Sequence, residues 1–220
     1  MAARKKSEKR GEKLTRIVLA GPPCSGKSSA IERLRAAAKP GLLLVPEIAS
    51  FIMAGGFPPP REGHPEEVRV FQRVIPPLQR GLETMLALQN PEADCMVCDR
   101  ASLDCVAYWP DGESDFFKAA GLDLEEELRF YHWVVFMGMV GAEEYGKGNL
   151  FRFHSFREAK EIGAKQRAVW SRHPRFIEIP SLESPDQKIS LAVEAIGRIR
   201  AGQSESQIDQ WLRALIPPAG

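Results

Sequence analysis

Eight residues constrain this chain more than any others. Gly21-Pro22-Pro23-Cys24-Ser25-Gly26-Lys27-Ser28 sets glycine, glycine, lysine and serine at the spacing G-x-x-x-x-G-K-[ST], and Ser29 follows. The flanks agree with the motif. Ile17-Val18-Leu19-Ala20 is a short apolar run that reads as a buried strand, and Ile31, Leu34 and Ala38 give a helical period after Gly26. Glycines let backbone N–H groups curl around phosphate oxygens at the positive end of the following helix. Lys27 then reaches the β- and γ-phosphates of a nucleoside triphosphate, ATP or GTP, and the Ser28 hydroxyl ligates Mg²⁺. Lys27 is read here as a solvent-facing loop residue whose removal would leave the fold intact. Cys24 is either an oxidisable thiol beside the phosphates or a small filler that contributes only its backbone.

Four more apolar runs follow: Leu42 to Val45, Cys95 to Cys98, Trp133 to Met137 and Phe176 to Ile179, with helical patterns between most of them. Strand and helix in alternation predict an α/β fold with a five-stranded parallel sheet covered by helices on both faces. At 220 residues the chain has the length of one such domain. Glu66 to Asn90 reads as helical but broken or kinked at Pro76-Pro77. Ser190 to Arg200 and Ser206 to Ile216 read as closing amphipathic helices. Two connections exceed what packing needs: Gly55 to Pro65, rich in glycine and proline, and Gly138 to His173, which holds Arg152, Arg157, Lys160, Lys165, Arg167 and Arg172. The second has the character of a lid over about residues 138–173.

In a parallel sheet the carboxyl ends of all strands share one edge, where ligands bind. Asp99 ends the third strand and Glu47 follows the second, so both should meet the phosphate loop. Asp99 can hold Mg²⁺, directly or through water, or cap the next helix. Glu47 can orient and deprotonate an acceptor hydroxyl, or hold a magnesium-bound water, or be a plain loop glutamate. Arg100, Asp104 and Tyr108 at i, i+4 and i+8 would share a helix face leading away from the site, as substrate contacts or as a surface ion pair.

Composition excludes several classes. With 44% hydrophobic and 27% charged residues the chain is neither disordered nor collagenous, and no apolar run approaches the ~18 residues of a membrane span. The net charge of +1 conceals a basic start: residues 1–16 hold seven Lys/Arg against two Asp/Glu, leaving 23 against 27 elsewhere. Residues 1–14 read as a disordered basic tail before a single domain over 15–220, and the mildly acidic remainder argues against a nucleic-acid face. Four cysteines after a start with no apolar signal segment lead to an expectation of reduced thiols and a cytoplasmic location. Cys95 and Cys98 resemble a metal-binding pair, but three residues apart on a strand they point to opposite faces.

GPPCSGKSS at 21–29, VPEIAS at 45–50, FQRVI at 71–75, CDRASLDCVAYW at 98–109 and RFHSFREA at 152–159 together resemble the NadR-like AAA-domain family of P-loop, kinase-like ATPases. Its best-understood branch phosphorylates ribosylnicotinamide. The resemblance implies a P-loop NTPase of nucleotide-kinase type, ATP or GTP with Mg²⁺, and a mobile lid whose arginine is Arg152. It also implies that Glu47 stands at the general-base position and that Gln72 reads a base or amide edge. No adenylyltransferase domain is expected beside this one, and the GGFPPPREGH loop does not match the family pattern. Two classes of function follow. One is a phosphotransferase on a small hydroxylated acceptor such as a nucleoside or nucleotide. The other is a regulatory nucleotide switch without such an acceptor, as in a trafficking-related branch. A lid and paired acids favour the first, because a kinase must exclude water while it positions an acceptor.

Overall fold

A computed structural model describes residues 14–139 and 155–216. The elements in order are β1 (Thr15–Ala20), α1 (Lys27–Ala36), β2 (Leu42–Val45), α2 (Ile48–Ala54), α3 (Pro65–Gln89), β3 (Cys95–Asp99), a 3₁₀ segment (Ser102–Tyr108), α4 (Glu113–Ala120), α5 (Leu124–Phe130), β4 (Trp133–Met137), α6 (Phe156–Trp170), β5 (Phe176–Ile179), α7 (Pro185–Arg200) and α8 (Glu205–Leu215). The strands form one parallel sheet in the order β2-β3-β1-β4-β5. All five runs predicted as strands are strands.

The strands are continuously apolar because both faces of the sheet are covered. Ile17, Leu19, Cys95, Val97, Val135 and Ile177 pack under α1, α7 and α8. Val18, Ala20, Met96, Cys98, Val134 and Phe136 pack under α3, α5, α6 and the 3₁₀ segment. Cys95 and Cys98 thus lie in different layers, as the strand period requires, and burial pushes the Cys95 thiol up to about 12 and Cys98 well above its ordinary value. A third cluster, Ile48, Ile52, Phe71, Ile75, Val106 and Phe116, joins α2, α3 and α4 beyond the sheet edge.

The tandem prolines do not interrupt α3, which runs unbroken for 25 residues through Pro76 and Pro77. Each proline removes one backbone donor. Packing on β2, the 3₁₀ segment, α2 and α4 holds the turns on either side. Register fixes the functional edge: Leu19 pairs with Asp99, Val45 with Cys98 and Ala20 with Phe136, so the loops after β1, β2, β3 and β4 leave the sheet together. Among the described residues no helix is long and apolar enough to cross a membrane.

Candidate active site

The loop from Gly21 to Gly26 turns the chain from β1 into α1 with three residues at positive φ: Gly21 at 140°, Cys24 at 60° and Gly26 at 96°. Gly21 cannot be replaced without movement, since a Cβ there would lie 2.4 Å from the Met137 carbonyl oxygen. On its other side the loop backs onto α6, where a Cβ added to Gly163 would stand 2.9 Å from Pro22. The cradle is therefore clamped between β4 and α6.

Lys27 is not solvent-facing. It is only 5% exposed, and its ammonium donates to the Gly21 carbonyl (2.9 Å), the Pro22 carbonyl (2.8 Å) and Ser25 Oγ (3.1 Å). Burial, then the nearby Arg100 cation, pull its pKa down to about 7 against the attraction of Asp99, Glu47 and Asp104. Its side chain folds back over the loop to make these bonds, and no carboxylate is within hydrogen-bond range. Ser28 and Ser29 are exposed in the same cleft.

Asp99 ends β3 almost fully buried, and its Oδ1 has no hydrogen-bond partner. Burial, offset in part by Lys27, pushes its carboxyl up to about 6. The capping alternative fails: the 3₁₀ segment begins at Ser102 with Ala101 as its cap residue, and Asp104 Oδ2, not Asp99, accepts the Ala101 N–H at 2.9 Å. An orphaned, buried carboxylate oxygen in the same cleft as an exposed serine hydroxyl fits a hard, oxygen-liganded cation such as Mg²⁺.

Arg100, Asp104 and Tyr108 do not run along a helix leading away from the site. Arg100 takes a positive φ of 68°, and the segment after it is 3₁₀. The left-handed turn throws the guanidinium back across the sheet edge. Its Nε lies 2.5 Å from Glu47 Oε1, while one terminal nitrogen donates to the Gly21 carbonyl at 3.2 Å and lies 3.5 Å from Asp104 Oδ1. Glu47, at the cap of α2, also accepts the Ser50 hydroxyl at 2.5 Å. Burial alone would raise the Glu47 pKa, but Arg100, the Ser50 bond and Lys27 hold it below its ordinary value. Burial works against Arg100 in turn, and Tyr108 and the three carboxylates keep its pKa raised.

Asp104 is a strut. Besides the Ala101 N–H it accepts from Gln166 Nε2 (2.8 Å) and Trp170 Nε1 (3.3 Å), both on α6, and so ties α6 to the turn that aims Arg100. Glu47, Gln72, Asp99, Arg100, Asp104 and Tyr108 all line one cleft of about 1640 Å³ that also contains the 23–29 stretch of the loop. Gln72 is 7% exposed there.

The described end of the segment read as a lid is α6, and its Val169 and Trp170 sit in the core. Arg157, Arg167 and Arg172 are paired with Glu161, Glu178 and Glu113. Lys165 alone among the described basic residues of that segment lines the cleft. Arg152, like residues 1–13, lies outside the described residues.

Sequence reasoning missed Ser50, Gln166 and Lys188. Lys188 on α7 is 1% exposed, lines the cleft and donates to the Gly138 carbonyl at 2.8 Å, and burial lowers it to about 8. In sequence it is one lysine of an amphipathic helix. Only the spacing of Ser50 three residues after Glu47 was a local clue.

A family model described as an AAA domain matches residues 16–186. The chain belongs to that AAA domain family. Comparison with curated proteins by sequence finds no match. Among solved structures it is similar to the thymidylate kinase of Candida albicans, with a TM-score of 0.51 over 87% of this chain and 94% of that one, at 12% identity. At that identity the likeness establishes the fold alone, a P-loop nucleotide-kinase fold.

Proposed function

We propose that this protein transfers the γ-phosphate of ATP or GTP to an uncharged hydroxyl of a small nucleoside-like acceptor. The observation that carries the reading is the Glu47–Arg100 pair, set in the same cleft as the phosphate loop. The P-loop accounts for the donor. The carboxylate of Glu47 stands on the acceptor side, where it can take the proton of the attacking O–H as the acceptor oxygen bonds to phosphorus and the bridging oxygen leaves with the diphosphate. Such transfers pass through a loose transition state in most analyses, so even a carboxylate held below its usual pKa is basic enough for a late proton.

Ser28 and Asp99 would hold Mg²⁺, which would neutralise charge on the phosphates. Lys27 would exchange its carbonyl partners for phosphate oxygens, and Arg152 would act from the lid. Gln72, and with it Tyr108, would contact the acceptor. A cytoplasmic location accords with four cysteines that are in no disulfide among the described residues.

A phosphate acceptor fits less well. Arg100, the cation next to Glu47, already faces Glu47 and Asp104, and Arg61 is taken up by Glu67. The resemblance to ribosylnicotinamide kinases points the same way. A second reading, a regulatory nucleotide switch, has one observation in its favour: both oxygens of Glu47 are engaged, by Arg100 and Ser50. Nucleosides, ribosylnicotinamide and nucleoside monophosphates should be compared for stimulated ADP release. Stimulation by an uncharged or cationic hydroxyl compound supports the reading; stimulation by monophosphates alone would make the protein a nucleotide kinase and overturn the uncharged acceptor, and stimulation by none while nucleotide binds tightly removes the kinase.

A further inference from the structure

Helix α3 buries three polar side chains, Gln72, Gln79 and Glu83, yet exposes four large apolar ones. Val70, Leu78, Met85 and Leu88 are 57%, 44%, 53% and 71% exposed, and they account for four of the six large hydrophobics left that open among the described residues. Val70, Val74, Pro77, Gly81, Met85 and Leu88 recur every three or four positions, the spacing that keeps residues in one stripe of an α-helix. From Val70 to Leu88 that stripe is about 27 Å long at 1.5 Å per residue. Arg73 is the one charged residue of this stretch that is fully on the solvent side. A contiguous apolar stripe of this length on the outside of a folded domain marks an interaction surface.

We propose that the stripe is the interface of a homodimer in which two copies of α3 pack antiparallel across a two-fold axis at the level of residues 79 and 80. The sequence of the stripe is complementary to its own reverse. Such an axis sets Val70 against Leu88, Val74 against Met85 and Leu78 against Gly81. Large residues meet at the ends, and at the centre a large residue meets the smallest. The space over Gly81 is open, since a Cβ added there would meet nothing within 4 Å. Leu78 of the second copy fills it. A parallel pairing, which a two-fold axis also permits, would instead set Gly81 against Gly81 and leave a gap, so the antiparallel arrangement is the one that closes.

A lipid surface is a poorer occupant, because membrane-surface helices flank their apolar face with several basic residues, whereas here Arg69 and Arg80, on the same edge as Arg73, are paired with Asp111 and Glu127. Two helices in contact over this length bury on the order of 500 Å² per partner, short of the ~800 Å² of a standard interface, which makes the dimer a weak, reversible one. The same helix presents Phe71, Gln72 and Ile75 to the cleft from its other side. Dimerisation would therefore brace the acceptor wall.

Sedimentation velocity of the full chain from about 1 to 200 μM tests the proposal. Wild type should move from monomer to dimer across that range, and the double variant Leu78→Glu/Met85→Glu should remain monomeric with unchanged circular dichroism and Tm. Orientation is read with a short bifunctional thiol reagent. A mixture of Val70→Cys and Leu88→Cys chains should cross-link above the wild-type background, and neither alone should. A wild type that is monomeric at every concentration, whether or not it binds vesicles or another protein, overturns the proposal. So does a dimer that survives the double variant, or efficient linkage of Val70→Cys to itself.

Discussion

The Nε of Arg100 and the Oε1 of Glu47 stand 2.5 Å apart, and this contact spans the edge between the loops after β2 and β3. Because Arg100 also donates to the Gly21 carbonyl, the pair links the Glu47 carboxylate to the first residue of the phosphate loop. Glu47 anchors a cation, and in the proposed reaction it would also take the acceptor proton. The two roles separate in kinetics. Glu47→Gln keeps shape and one acceptor oxygen but loses basicity, so acceptor-dependent transfer should fall by about 10²- to 10⁴-fold in kcat while nucleotide affinity scarcely changes. If only Mg²⁺ dependence moved, and extra Mg²⁺ restored the rate, Glu47 would belong to the metal's water shell instead.

Asp99→Asn should act on the metal. The orphaned Oδ1 becomes an amide group or a neutral oxygen, and the half-saturating Mg²⁺ concentration should rise by roughly 10- to 100-fold. Removing a buried carboxyl that burial has pushed up to about 6 should at the same time leave the ligand-free Tm unchanged or higher. A magnesium titration that does not move would show that Asp99 takes no part in binding the ion.

Lys27→Met should abolish turnover, since the charge on the γ-phosphate loses its partner. The buried ammonium is bonded only to two carbonyls and a hydroxyl, with no carboxylate within hydrogen-bond range. Burial costs this cation more than the more distant Asp99, Glu47 and Asp104 return, as its lowered pKa shows, so the ligand-free Tm of the variant should hold or rise. A drop of more than about 5 °C, on the scale of 2–4 °C per kcal/mol for a domain of this size, would show that the three bonds outweigh the desolvation.

What was legible in the sequence, and what was not, divides along physical lines. The strands were legible because burial on both faces leaves an unbroken apolar run, and the phosphate loop because its glycines and lysine are required by the chain's own geometry. Register then carried Glu47 and Asp99 to the same edge. The turn at Arg100 was not legible: a single residue at positive φ that is not glycine leaves no local mark, and it converts an apparent i, i+4, i+8 helix face into a side chain aimed back at the site. The continuity of α3 was hidden for a related reason, since proline propensity is local and the packing that overrides it is not. Neither Gln166 nor Lys188 could be found by spacing, because each reaches its partner across more than 45 residues.

Gly21→Ala should be among the most damaging single changes. Its φ of 140° disfavours any side chain, and the added methyl would overlap the Met137 carbonyl at 2.4 Å, a rigid backbone atom of β4. The loop must shift, and with it the carbonyl that holds Lys27 and Arg100. Expected results are a fall in Tm of roughly 5 °C or more and no detectable nucleotide binding by calorimetry. Near-native binding would mean that the cradle has slack that its contacts do not indicate.

The last prediction concerns pH and lies away from the cleft. Glu83 on α3 is fully buried; its Oε1 accepts from Gln79 Nε2 at 2.7 Å and Tyr131 OH at 3.1 Å, and its Oε2 has no hydrogen-bond partner although Arg80 stands 3.8 Å away. Burial raises its pKa more than the bonds from Gln79 and Tyr131 and the charge of Arg80 lower it. The folded chain thus binds a proton at Glu83 more tightly than the unfolded chain does. The resulting stabilisation is fully present below the unfolded value near 4.5 and is lost as pH rises through the folded one. Glu83→Gln keeps the acceptor for Gln79 and Tyr131 and removes the titration. Measured from pH 4 to 8, the Tm of the variant minus that of wild type should be lowest at the acid end and climb as pH rises, then level off. A difference that is flat across the range, or that falls with rising pH, would mean that Arg80 holds Glu83 as an ion pair and that the buried carboxylate is charged throughout.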